Sequence, residues 1–108
     1  MSVYDDIQTE RAAQDAKWGE QNHPFVYLSQ DQNNPVEAYT HMANLHRDAC
    51  DKAFANGRGR WSHILNEEIF EAYEQAAMGN TQAFREELVQ VAAVVVAMIE
   101  CLDRNGIV

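Results

Sequence analysis

Residues 61–105, WSHILNEEIFEAYEQAAMGNTQAFREELVQVAAVVVAMIECLDRN, decide the fold of this 108-residue chain. Leu65, Ile69, Ala72 and Ala76 recur at helical spacing. Glu68-Ile69-Phe70-Glu71 and Glu87-Leu88-Val89-Gln90 each place two polar residues three apart, so both members of a pair share one helix face. Gly79-Asn80 interrupts the pattern, which reads as two helices: one starting near Trp61 or Ser62 and stopping at Gly79, the next spanning about Thr81 to Asn105. Gly106 then stands where a left-handed residue ends a helix.

Working outward, Ser2 caps a first helix that ends near Gly19, with Asp5 three residues on as a weaker relative of the capping-box glutamate. Residues 22–34 are a polar loop rich in Asn, Gln and Asp. Asn34-Pro35 supplies an N-cap and a proline at the first helical position, and the helix that follows runs to about Asn56-Gly57. Gly57-Arg58-Gly59-Arg60 reads as a short flexible connector. No stretch alternates at period two, and there is no internal repeat. The expectation is an all-α, four-helix bundle forming one domain over residues 1–108.

The acidic pairs also suggest chemistry. With about 100° per residue, Glu68, Glu71 and Gln75 form a narrow stripe beside the apolar face of the third helix. On the fourth, Val91, Val94 and Met98 surround Glu87 on the wheel, which makes it partly buried. Buried carboxylates are costly unless a cation compensates them, and no Lys or Arg lies on those stripes. A hard divalent ion would resolve the conflict, because Mg²⁺ prefers oxygen ligands. The plain alternative is a solvated acidic face, which glutamate-rich helices commonly carry.

The formal net charge of −9 argues against nucleic acid or an anionic membrane as partner, since both attract basic surfaces. A negatively charged ligand would need a metal bridge. The longest apolar run, Val91 to Ile99, is far short of the roughly 20 residues that cross a bilayer. Two cysteines, Cys50 and Cys101, without an apolar leader, suggest a reduced cytoplasmic setting.

On the first helix, Val3, Ile7, Arg11, Gln14 and Trp18 form one stripe interrupted by two polar side chains. Arg11 can hold a phosphate, Gln14 a base or phosphate, and Trp18 can stack on a base. Alternatively Trp18 is core and Arg11 pairs with a glutamate. His46-Arg47-Asp48 spells the letters of a kinase catalytic loop, but the chain is too short and has no glycine-rich loop. His46 and Cys50, one turn apart, match zinc-ligand spacing, yet both fall on an apolar face where a packed histidine is the simpler reading.

The order Glu67-Glu68-Ile69-Phe70-Glu71, then 15 residues between Glu71 and Glu87, then Glu87-Leu88-Val89-Gln90, resembles the ExxE, spacer, ExxD signature of the MazG-like all-α nucleoside triphosphate pyrophosphohydrolases. The flanks Glu10-Arg11, Gln14, Lys17-Trp18-Gly19-Glu20-Gln21-Asn22-His23-Pro24, Trp61-Ser62-His63-Ile64-Leu65 and Gln90-Val91-Ala92-Ala93 to Arg104 are similar to small phage, integron and bacterial members. The likeness covers most of the chain outside residues 25–48.

This resemblance implies a house-cleaning hydrolase that converts a nucleoside triphosphate to the monophosphate and pyrophosphate, with Mg²⁺ as cofactor and Mn²⁺ as a substitute. Glu68, Glu71 and Glu87 take the metal-binding and catalytic positions. Gln90 stands where the pattern has aspartate; its amide oxygen can reach a metal but brings no charge. Lys17 joins Arg11, Gln14 and Trp18 as a candidate substrate-binding residue. Members are dimers or tetramers, and an apolar fourth helix needing cover fits a homodimer or homotetramer. A nucleotide-binding or helical interaction module with little catalysis is the alternative.

Overall fold

Side-chain caps start the first and fourth helices, and glycines end them. The computed structural model describes residues 2–28 and 34–108, so part of the polar loop expected at 22–34 lies outside the described residues. Four helices follow in order: α1 (Val3–Trp18), α2 (Pro35–Ala55), α3 (Trp61–Ala77) and α4 (Thr81–Asn105). The described chain is 77% helical with no strands, as the periodicity predicts.

Ser2 caps α1 by accepting the Asp5 N–H at 3.2 Å, and its hydroxyl donates to Asp5 Oδ2 at 3.0 Å. Asn80 caps α4 through the Ala83 N–H at 3.2 Å. At α3 a histidine replaces the usual carboxylate: the Arg60 N–H donates to His63 Nδ1 at 3.0 Å. Gly19 and Gly106, both at φ 67°, terminate α1 and α4 in the left-handed conformation that favours glycine.

Asn34 departs from expectation. It precedes Pro35 at the start of α2, but adopts φ 51° and makes no side-chain cap. Capping requires extended backbone so that the side chain faces the first-turn N–H groups. The proline ring disfavours right-handed α backbone at the preceding residue, and Asn tolerates the left-handed region. The Gly57–Arg60 connector also differs from a flexible link. The Arg58 N–H donates to Ala53 O at 2.8 Å, and Arg60 Nη1 donates to the Arg58 and Gly59 carbonyls at 2.9 and 3.1 Å. A Cβ at Gly59 would meet the Phe54 ring, which would have to move aside.

α3 is the centre of the fold: α2 packs on one side, α4 on the other, and α1 touches α4 alone among the helices. Small side chains let α2 and α3 approach, with Ala43, Cys50 and Ala72 buried. His46 stacks flat on Phe70 at 4.6 Å, and Tyr39 meets Tyr73 edge-on at 5.9 Å. His46 and Cys50 therefore serve the α2–α3 interface, as the packed reading has it. By contrast, α4 has no buried residue, and of the α1 stripe only Val3 is buried.

The two asparagine starts should respond differently to substitution. Asn80→Ala should cost about 1 kcal/mol by removing a cap, while Asn34→Gly should be neutral or slightly stabilising because it relieves a positive φ. Urea unfolding of both variants checks this; equal losses would contradict the distinction.

Candidate metal centre

α3 and α4 bring the two acidic segments face to face. One carboxylate oxygen from each of Glu68, Glu71 and Glu87 lies within 4.8 Å of the others, and all three side chains are partly buried. This is the convergence that the helical spacing predicts. Oxygens on opposite sides of an Mg²⁺ ion are about 4.2 Å apart, given metal–oxygen distances of about 2.1 Å. Modest rotamer adjustment therefore suffices to bring all three onto one ion.

The electrostatics are strained. Glu68 Oε2 and Glu87 Oε2 are buried with no hydrogen-bond partner. Two ionised carboxylates have no proton to share, so they can bond to each other only when one is protonated. Burial first, and then the charges of Glu71, Glu87 and Glu67, push Glu68 up to about 7. Burial and the Glu71 charge likewise raise Glu87, partly opposed by Arg47 and, once Glu68 is protonated, by a hydrogen bond from that residue. Such a pair needs a proton or a cation between its members. Oxygen-only donors with orphaned buried atoms fit a hard divalent ion.

Sequence reasoning missed the cation that is present. Arg47, on α2, donates from Nε and Nη2 to Glu71 Oε1 at 3.3 and 3.1 Å, and lies 4.0 Å from Glu67 Oε1. The cluster thus does have an arginine partner, contributed by a different helix from those carrying the acidic stripes. The hydrogen bond to Glu71 raises the Arg47 pKa further. Next to it, burial and Glu67 push the Cys50 thiol up to about 11, which leaves it protonated and inert as a nucleophile.

The other candidates sit apart. Gln90 is exposed one turn beyond Glu87 on α4. Arg11 donates to Gln14 Oε1 at 2.7 Å and pairs with Asp15 at 2.9 Å, within α1. It therefore pairs with an aspartate of its own helix, not with a glutamate. Trp18 is 57% exposed, with the Lys17 ammonium 4.8 Å from its ring centre. Trp18 is not part of this chain's core, because among the helices α1 leans on α4 only and the stripe from Ile7 on is exposed except for the half-buried Gln14.

Compared with known proteins, the chain matches no family model, no curated protein and no solved structure.

The pH dependence of the metal-free protein follows from Glu68. Its folded pKa, about 7, exceeds the ordinary 4.5, so the folded state holds the extra proton between these values. Stability contributed by protonated Glu68 is complete below about 4.5 and is lost as pH rises to about 7. In chelator, the stability of the unmodified protein relative to Glu68→Gln should fall across that window. Glu87→Gln should be as stable as the unmodified protein or more so, since its amide can donate to Glu68. Mg²⁺ should then raise its melting temperature less. Melts in chelator and in Mg²⁺ check both; a large loss for Glu87→Gln in chelator contradicts the metal-centre reading.

Proposed function

We propose that this chain is a Mg²⁺-dependent nucleoside triphosphate pyrophosphohydrolase, releasing the monophosphate and pyrophosphate and serving to clear non-standard nucleotides in the cytoplasm. The observation that carries the reading is the pair of orphaned, buried Glu68 and Glu87 oxygens beside Glu71. The resemblance of the acidic segments and their flanks to the MazG-like enzymes supports it independently.

In this reading Glu68, Glu71 and Glu87 hold the ion, with Mn²⁺ able to replace Mg²⁺. When bound, the ion neutralises phosphate charge and lowers the pKa of a coordinated water. The residues' own work is positional: α3 fixes Glu68 and Glu71 one turn apart, and α4 sets Glu87 opposite. The hydrolysis adds water at the α-phosphorus and breaks its bond to the oxygen that leaves with pyrophosphate. Exposed Arg11, Lys17 and Trp18, with the half-buried Gln14, offer polar and aromatic groups suited to phosphate and base.

A homodimer or homotetramer belongs to the same proposal. The chain exposes 7951 Å², whereas a folded monomer of its mass exposes about 6,100 Å². Leu65, Val95, Met98 and Leu102 line an apolar cavity of about 470 Å³ along α3 and α4. Both features are those of a helix layer covered by another copy. A second reading, nucleotide binding with little turnover, is favoured by one observation: the exposed, uncharged Gln90 in place of an acid.

Pyrophosphate release over a panel of normal and modified nucleotides should require Mg²⁺ or Mn²⁺ and stop in excess chelator; full turnover in chelator overturns the proposal. Nucleotide binding without release would select the second reading. Trp18→Ala should leave the melting temperature nearly unchanged, because the ring is exposed, and should weaken nucleotide affinity severalfold. Gln90→Asp should tighten Mg²⁺ binding by adding a carboxylate. Calorimetric titration of each variant reads these effects, and unchanged affinities place the residues outside the site.

A further inference from the structure

We propose that Arg47 is a phosphate-binding residue, exchanging its ion pair with Glu71 for a substrate phosphate oxygen when Glu71 holds a divalent cation. This rests on the pyrophosphohydrolase reading above and goes beyond it by assigning a residue outside the acidic segments.

The geometry of the existing pair points to exchange. A guanidinium engages a carboxylate best through two parallel bonds to two oxygens, at about 2.7–2.9 Å. Arg47 instead directs Nε and Nη2 at the single atom Glu71 Oε1, at 3.3 and 3.1 Å. The pair is therefore longer and less well formed than the fork allows. Arg47 is also 42% exposed, so an incoming anion can reach it.

A separate contact steadies it. Asn44 Oδ1, one turn earlier on α2, accepts from Nη1 at 2.8 Å, the shortest bond the guanidinium makes. That bond does not involve the cluster and can persist while Nε and Nη2 change partner. Charge supplies the need: in a chain of net charge −9, Glu67, Glu68, Glu71 and Glu87 repel an approaching polyphosphate. Among the described residues, Arg47 is the one cation ion-paired to this cluster. A phosphate drawn to a cation on Glu71 arrives beside a guanidinium that already touches the same carboxylate.

The exchange predicts opposite effects on two ligands, which a purely structural role does not. Arg47→Gln removes a positive charge and frees Glu71, so Mg²⁺ alone should bind several times more tightly, while inorganic pyrophosphate with saturating Mg²⁺ should bind about tenfold more weakly. Arg47→Lys, which keeps the charge without the fork, should hold Mg²⁺ as the unmodified protein does and recover most of the pyrophosphate affinity. Calorimetry with these two probes reads both. In the unmodified protein, the Arg47 Nε–H NMR signal should shift when pyrophosphate is added to the Mg²⁺-loaded form, a test that needs no variant to fold. Parallel losses of Mg²⁺ and pyrophosphate affinity in Arg47→Gln, unchanged pyrophosphate affinity, or a silent Nε–H signal would each overturn the proposal. If the unmodified protein binds no Mg²⁺, the metal-centre reading falls and takes this proposal with it; if it binds Mg²⁺ and only the Arg47 outcomes fail, that reading stands.

Discussion

Repulsion between the partly buried carboxylates of Glu68 and Glu87 is the constraint on which the rest of the molecule turns. Both side chains are partly buried where α3 meets α4, and each has one oxygen shut off from solvent. A buried carboxylate with no partner is among the costlier features a small domain can contain. Its persistence here is offset in two ways. Glu68 retains a proton to about neutral pH, and Arg47 neutralises the adjoining Glu71 from across the α2–α3 interface. The proton and the arginine do for the folded chain what a bound cation would do better.

The architecture around this strain is economical. α3 contacts both α2 and α4 and donates three of the four nearby glutamates, so the helix that organises the fold also organises the cluster. Close approach of α2 depends on Ala43, Cys50 and Ala72, residues too small to hold the helices apart. That approach is also what places Arg47 within reach of Glu71. Packing and electrostatics are thus coupled at one interface: a larger side chain at position 43 would push back the guanidinium as well as α2. The far side is different, since α4 buries no residue and α1 covers it only in part.

Most of the helical framework was legible because its punctuation is local. Ser2, Gly19 and Gly106 act through hydrogen bonds and dihedrals within a few residues, and the sequence neighbours suffice to place them. Asn34 misled because two local rules compete there: its side chain favours capping, while Pro35 restricts the backbone that capping needs. The convergence of Glu68, Glu71 and Glu87 was also legible, since two adjacent helices joined by a short turn must run antiparallel. Arg47 was not, because which face of α2 meets α3 is a tertiary fact. A signal existed: Ala43, Arg47 and Cys50 lie on one helical stripe, and an arginine between small buried residues calls for an acidic partner on the helix they pack against. The α1 stripe was legible only as two alternatives, a core row or a ligand surface, because whether a mixed row of apolar and polar side chains is covered is again a tertiary fact.

Gln90 takes on a different meaning once Arg47 is in place. Glu67, Glu68, Glu71 and Glu87 with Arg47 leave the cluster three negative charges in excess when all are ionised. An aspartate at position 90 would add a fourth, one turn from Glu87, without a second cation among the ion pairs at the cluster to offset it. Glutamine keeps an oxygen donor there while sparing that repulsion. The cluster thus joins carboxylates from α3 and α4 to one arginine from α2, so its net charge is set by packing across both interfaces.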